Sequence, residues 1–306
     1  MRLSSAQLNN IMQSSMETST AGFNRTIEQM GAHKRILEPS DDPLGSVQVM
    51  MLKREQANID QFQKNITNLS AQLGQTESEL DSSNNGLLRA QELVTGVLNA
   101  SNSSEGGRKA IATELQGILD QMVNTANSKN PNGDYIFSGT QTSTKPVALD
   151  ASGKYVYQGN DEQRMVSVDE SMTVPSNQTA NAIYFGGKAD GSDIFNTLAG
   201  VIKDLRDPDV SGQALVQSVT DAQVNLKGTL GDMTEVLTDI GGQRASLDRV
   251  TGAHEDNKLI NKGLISDVED LDYSDAILKM NTEMAALQAT QMSYTKIQSL
   301  SLFKMM

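Results

Sequence analysis

Only two histidines, His33 and His254, stand in the 306 residues, and there is no cysteine. An imidazole beside a serine and a carboxylate could do proton-transfer chemistry, and a set of imidazoles and carboxylates could hold a metal. Neither histidine has such neighbours in sequence, so both are expected in surface or elbow roles. Without cysteine there can be no disulfide, no thiolate nucleophile and no sulfur-ligated zinc or iron–sulfur centre. Asp267, Glu269, Asp270, Asp272 and Asp275 form an acidic cluster. A calcium loop would need regular ligand spacing around a central glycine, which is absent, so a solvated turn and helix start is the expectation. The pairs Gly186–Gly187 and Gly241–Gly242 lack the Lys-Ser/Thr of a phosphate loop. The sequons at Asn24, Asn65 and Asn177 are of the kind that arise by chance in a chain rich in Asn, Ser and Thr. No catalytic, cofactor-binding or metal-binding residue is therefore expected.

The balance of charge narrows the partners. A formal net charge of −13 and an isoelectric point near 4.6 disfavour nucleic-acid phosphates and anionic membrane surfaces, which recruit clustered Lys and Arg. No apolar run approaches the ~18 residues of a membrane span. Residues Met1–Gln7 contain no apolar stretch, so no cleavable signal peptide is expected. Aromatics reach 4%, Trp is absent, and apolar residues total 37%. Such a composition is thin for a wide core and suits long helices that bury a narrow stripe.

That stripe is visible. Ile59, Phe62, Ile66, Leu69, Leu73, Thr76, Leu80, Ser83, Leu87, Ala90, Val94 and Val97 alternate in steps of three and four, the signature of a coiled-coil seam. The spacing predicts a helix over residues 44–99, roughly 80 Å long at 1.5 Å per residue. Its start is signalled by Asp42 as cap and Pro43 at the first helical position, where a missing N–H costs nothing. Pro39 biases Glu38 towards an extended backbone, so Pro39, Ser40, Asp41, Asp42 and Pro43 are expected to form a stiff inter-helix elbow. The polar stretch 99–107 should end the helix. A second helix is expected over 108–128, stopped by Asn130-Pro131-Asn132-Gly133.

Residues 134–190 change character. The runs 135–137, 155–157, 165–168, 172–174 and 183–185 are β-prone and separated by Gly, Asn, Asp and Pro. Helical patterning returns at Asp193, first as a short helix ended near Asp207-Pro208. A second long seam follows: Val216, Val219, Gln223, Leu226, Leu230, Met233, Leu237, Ile240, Arg244 and Leu247. It is a natural antiparallel partner for the first. The last stretch, Ile277 to Gln298, has a weaker, Met-rich seam. The expected fold is mostly α, a long antiparallel coiled-coil-like helical bundle with a small β insertion as a β-rich outer domain. The expected segments are an N-terminal assembly helix (1–40), two halves of a helical core (41–133 and 191–275), the β-rich insertion (134–190) and a C-terminal assembly helix (276–306). The two end segments should pair with one another. A single helix with a narrow stripe barely offsets its ordering entropy, so these ends are expected to be weakly ordered alone and to fold together on assembly. Leu8, Ile11, Met12, Met16, Met280, Met284, Leu287, Tyr294 and Phe303 are the expected subunit-interface residues.

Four segments in order carry a further signal: Lys34–Pro43, Asn84–Leu93, Asn132–Gly139 and Asp270–Ile277, the last followed by Ala286-Leu287-Gln288-Ala289 and Ser301-Leu302-Phe303. Together they resemble the flagellin superfamily over nearly all the chain outside the insertion. Pro43 after the paired aspartates, the run Tyr135–Gly139 and the ending from Leu287 to Phe303 look more like the hook–filament junction branch than like flagellin itself. The superfamily usually has Ser-Gly or Thr-Gly before the Lys-Arg pair, whereas Ala32-His33 stand there in this chain. If that turn needs a positive φ, His33 adopts it only at a cost.

The resemblance implies a flagellin-like, non-enzymatic structural protein without cofactors. It implies passage, unfolded and with no cleaved signal peptide, through the flagellar type III export channel to an extracellular place on the bacterial flagellum. The implied partners are copies of the same chain in a ring or helical turn, hook-associated protein 1, flagellin and an export chaperone. A minor flagellin of the filament, or a secreted binding or adhesin protein acting through the β insertion, are the alternatives.

Overall fold

The computed structural model describes residues 5–97, 104–186 and 193–303. The sequence expectations that fall on 99–103 and on Gly187 lie outside them, as do those on the side chains of Leu8 and Phe303. In chain order the elements are α1 (Ser5–Ala32), α2 (Pro43–Val97), α3 (Glu105–Ala126), β1 (Val147–Leu149), β2 (Tyr155–Tyr157), β3 (Met165–Ser167), β4 (Thr173–Pro175), α4 (Ala180–Tyr184), α5 (Ile194–Arg206), α6 (Gln213–Glu269) and α7 (Tyr273–Phe303). The fold is mostly helical, with two small antiparallel two-stranded sheets, β1–β2 and β3–β4. Among the described residues no helix is long and apolar enough to cross a membrane.

The chain divides into two compact units, residues 1–59 with 255–306, and residues 60–254. Helices α2 and α6 contribute residues to both.

The second unit is built on the two seams. From Ile66 to Val97 every seam position of α2 is buried, including the polar Thr76 and Ser83. On α6, Val219, Leu226, Met233, Ile240 and Leu247 recur every seven residues and are all buried. A strict seven-residue period keeps one face turned towards a partner helix. The helices run antiparallel: Arg244 on α6 bonds Glu77 on α2, and Gln223 donates to Thr95 at 3.1 Å. The α6 seam begins at Val219 rather than Val216. Val216 is 40% exposed, because it lies in the first turn of α6, off the seven-residue register.

Against this pair lie α3, α5 and the insertion. Ser104 caps α3 by accepting from the Gly107 N–H, and α3 packs on α5. Phe195 on α5 is fully buried and sits 5.0–5.7 Å, ring to ring, from Tyr184, Phe185 and Tyr155. Tyr184 donates its hydroxyl to Ser83 at 2.9 Å, wholly within the core. That contact explains how a polar residue is tolerated in the α2 seam.

Two of the five β-prone runs are not strands. Residues 183–185 belong to or end the short helix α4, because Thr179 caps it by accepting from the Ala182 N–H. Residues 135–137 form only an isolated bridge from Tyr135 to Lys129, while Ile136 and Phe137 are buried as anchors. Conversely β1 has no strong sequence signal. It is held by Asn127, whose amide oxygen accepts from the Val147 N–H and whose amide nitrogen donates to the Val147 carbonyl, both at 3.0 Å. The side chain stands in for a neighbouring strand.

Candidate functional site

In the first unit α1 packs on α7. They run antiparallel: the Tyr273 hydroxyl reaches the Met30 carbonyl at 3.2 Å, and Gly22 lies so close to Glu283 that a Cβ there would meet its carboxylate at 2.8 Å. Thr26 is fully buried and Ala276 nearly so. Of the residues expected at subunit interfaces, Met12, Met16, Met280, Leu287 and Tyr294 are half-buried, whereas Ile11 and Met284 are exposed. Among the described side chains, Ile27, Ile277, Leu278 and Met292 also stand in solvent on these helices. The weak Met-rich seam could not separate them, because apolar residues lie on more than one face of α7.

The two helix junctions meet. After α1 ends, His33 turns the chain at φ 59°, in the left-handed region that suits glycine. The turn sends Lys34 alongside Asp270 in an antiparallel bridge. The Arg35 N–H donates to the Glu269 carbonyl at 2.8 Å, and the Leu271 N–H to the His33 carbonyl at 3.3 Å. His33 Nδ1 meets the Tyr273 hydroxyl. Sequence reading placed His33 at the elbow but had no means of finding Tyr273, 240 residues away.

The elbow is set by charge. The Asp41 carboxylate accepts from Arg25 at 2.6 Å, from the Leu37 N–H at 2.9 Å and from the Glu38 N–H at 3.0 Å. The Arg25 guanidinium, then those two amides, hold the Asp41 carboxyl well below its ordinary range. Asp42 caps α2, accepting from the Gly45 N–H at 2.9 Å, and takes a bond from Arg35 at 3.0 Å. The Gly45 amide first and Arg35 second lower its pKa. Pro43 is the first residue of α2, and Pro39 and Ser40 are exposed on the turn. Glu269, half-buried at the end of α6, receives Lys34 at 2.8 Å and Lys53 at 3.0 Å. Burial pushes its pKa up, but the two lysines outweigh it and the net shift is downward. Arg25 and Lys53 were not found by sequence reading, and Glu269 was expected only as part of a solvated acidic turn, whereas it is half-buried between two lysines. Each lies on a long helix whose local pattern shows only a solvated face.

The geometry is a clamp of helix on helix. No group of three or more His, Asp or Glu fit to hold a metal exists among the described residues. A cleft of about 300 Å³ beside the elbow is walled by Ile36, Leu37, Pro39, Val49 and Met50, with Lys53 and Glu269 also lining it. His254, expected in a surface or elbow role, is instead 3% exposed and lies in the α6 seam. It lies seven residues after Leu247, so the period of α6 carries it inward.

Comparison with known proteins agrees with this architecture. The family profile described as the bacterial flagellin N-terminal helical region matches residues 3–142. Flagellar hook-associated protein 3 of Salmonella typhimurium is 29% identical over 319 aligned positions, covering 100% of this chain and 99% of the relative. The protein of the same name from Escherichia coli is 30% identical, with 91% of each chain covered. The solved structure of a putative flagellar hook-associated protein from Vibrio parahaemolyticus is 31% identical and superposes with a TM-score of 0.69, over 75% of this chain and all of that one. The chain belongs to the flagellar hook-associated protein 3 family.

Proposed function

We propose that this chain is the structural junction between hook and filament of the bacterial flagellum. It assembles on the distal hook, rests on hook-associated protein 1, and presents a surface on which flagellin polymerises. Its partners are copies of itself, those two proteins, and a chaperone before export. It reaches its extracellular place unfolded, through the flagellar export channel. It performs no catalysis; its work is staged packing. Helices α1 and α7 zip against their counterparts in neighbouring subunits, and the elbow network holds them at a set angle to the turns it joins.

The observation that carries this reading is the near end-to-end similarity to two hook-associated relatives. The apolar side chains left in solvent on α1 and α7, namely Ile11, Ile27, Ile277, Leu278, Met284 and Met292, support it. Solvated apolar groups along a helix gain free energy when a neighbour covers them. The test is deletion of the gene, followed by electron microscopy of the cells and immunoblotting of flagellin in the medium. Bare hooks and flagellin shed as monomer are expected. Normal filaments on the deletion strain would contradict the junction role.

A further inference from the structure

The α6 seam breaks its own rule at His254. Val219, Leu226, Met233, Ile240 and Leu247 are apolar, and the next position in the same register is a buried imidazole. Seam packing alone gives no reason for it, since an aliphatic residue would fill the position without a polar group to satisfy. The ring lies flat against Phe62, with centroids 5.9 Å apart and planes 13° from parallel. Its Nε2 sits 2.9 Å from the Val168 carbonyl and 3.7 Å from an Asp169 carboxylate oxygen. A carbonyl only accepts, so Nε2 carries a proton and donates.

Val168 is the residue that follows β3, and it is completely buried. The carbonyl immediately before it, that of Ser167, is taken by Asn65 on α2, whose amide donates at 2.8 Å. Gln61, one turn earlier, donates to the Asn65 oxygen at 3.1 Å and so turns the Asn65 nitrogen towards Ser167. Two side chains, one from each long helix, thus grip consecutive carbonyls at the end of β3. A two-stranded hairpin is marginal by itself, and β3–β4 pairs over only three residues.

We propose that Asn65 and His254 form a clip that holds the β3–β4 hairpin on the α2/α6 pair. They act as positioning residues: their polar groups serve the hairpin, and the helix seam does not need them. Because one prong stands on each helix, the hairpin also ties α2 and α6 to one register, and a slide of either helix along the other would pull a prong off its carbonyl.

The test is backbone hydrogen exchange, read by mass spectrometry on the full chain, for Asn65→Ala and His254→Leu made separately. Asn65 is only half-buried, so its replacement leaves the core intact even if the histidine variant folds poorly. In each variant the amides of residues 165–175 are expected to exchange about tenfold faster or more, as in a local opening, with those of residues 219–247 unchanged. His254→Gln, whose amide can donate to the same carbonyl, should recover part of the lost protection. Unchanged exchange in residues 165–175 would overturn the proposal. So would a loss spread evenly over α2 and α6, which would mark both residues as ordinary core.

Discussion

The two units solve the problem of stability in opposite ways. In residues 60–254 most apolar side chains are enclosed: among the described residues, all the buried apolar ones except Ile36, Val49, Ile59 and Ala276 belong there. Residues 1–59 and 255–306 bury little and are held by charge and hydrogen bonds around the helix junctions. They also carry most of the large apolar side chains that face solvent. Among the described residues the second unit contributes only Leu88, Leu149, Met165, Val216 and Val224 to that set. One part of the chain is thus an enclosed fold, and the other leaves apolar surface in solvent, as the proposed assembly requires. Weak seams in α1 and α7 fit the proposed subunit, which would join its neighbours through them.

The sharpest way to break the comparison is in the enclosed unit. Phe195→Ala removes the ring at the centre of the aromatic cluster and should cost about 3–5 kcal/mol, seen as a lower urea midpoint. A cost near zero would mean the unit is not closed around it. Tyr184→Phe is subtler. It strands the buried Ser83 hydroxyl without its partner and should cost about 1–3 kcal/mol in the same measurement.

Acid should separate the units by sign. Asp41, Asp42 and Glu269 have folded-state pKa values below their ordinary values of 3.8, 3.8 and 4.5. Their contribution is complete above those values and is lost as pH falls below them. Asp193, 4% exposed as the cap of α5, goes the other way: burial raises its pKa above 3.8 against the bonds from Asn196. Its contribution is complete below 3.8 and is lost as pH rises through the folded value. As pH falls below 4.5, hydrogen exchange should therefore quicken at the elbow before it does around α5. Simultaneous loss in both would remove the distinction. The smallest expected effect on the free chain is at the surface. Leu278, 67% exposed, replaced by Asp should change stability by no more than about 0.5 kcal/mol, yet prevent assembly in a complemented deletion strain. The half-buried Leu287→Asp should also block assembly, with most of the helicity of the free chain retained.

How much of this was legible in the sequence depended on whether the signal was local. The α2 seam from Ile59 to Val97 is buried almost position for position, since a seven-residue period is written in the chain itself. The cap at Asp42 and the stop at Asp207 are likewise local chemistry. The runs at residues 135–137 and 183–185 misled, because aromatic and branched residues favour strands only when a partner strand exists, and here a cap and a buried core claimed them first. The elbow's position could be read, but its partners could not. Arg25 reaches Asp41 across the turn, Lys53 on α2 meets Glu269 on α6, and Tyr273 on α7 meets His33 after α1, none of which a local pattern encodes. His254 escaped for the same reason: its role appears only with Val168 beside it. Apolar faces on α7 could be seen, yet which of them faces solvent is decided by α1.

In the proposed junction, α1 and α7 complete their burial in neighbouring subunits. Hydrogen exchange of residues 5–32 and 273–303 in the free chain, compared with the same residues in isolated hook–filament junctions, tests it most directly. Fast exchange is expected in the free chain and strong protection in the assembled junction. Strong protection of both helices in the free chain would contradict it.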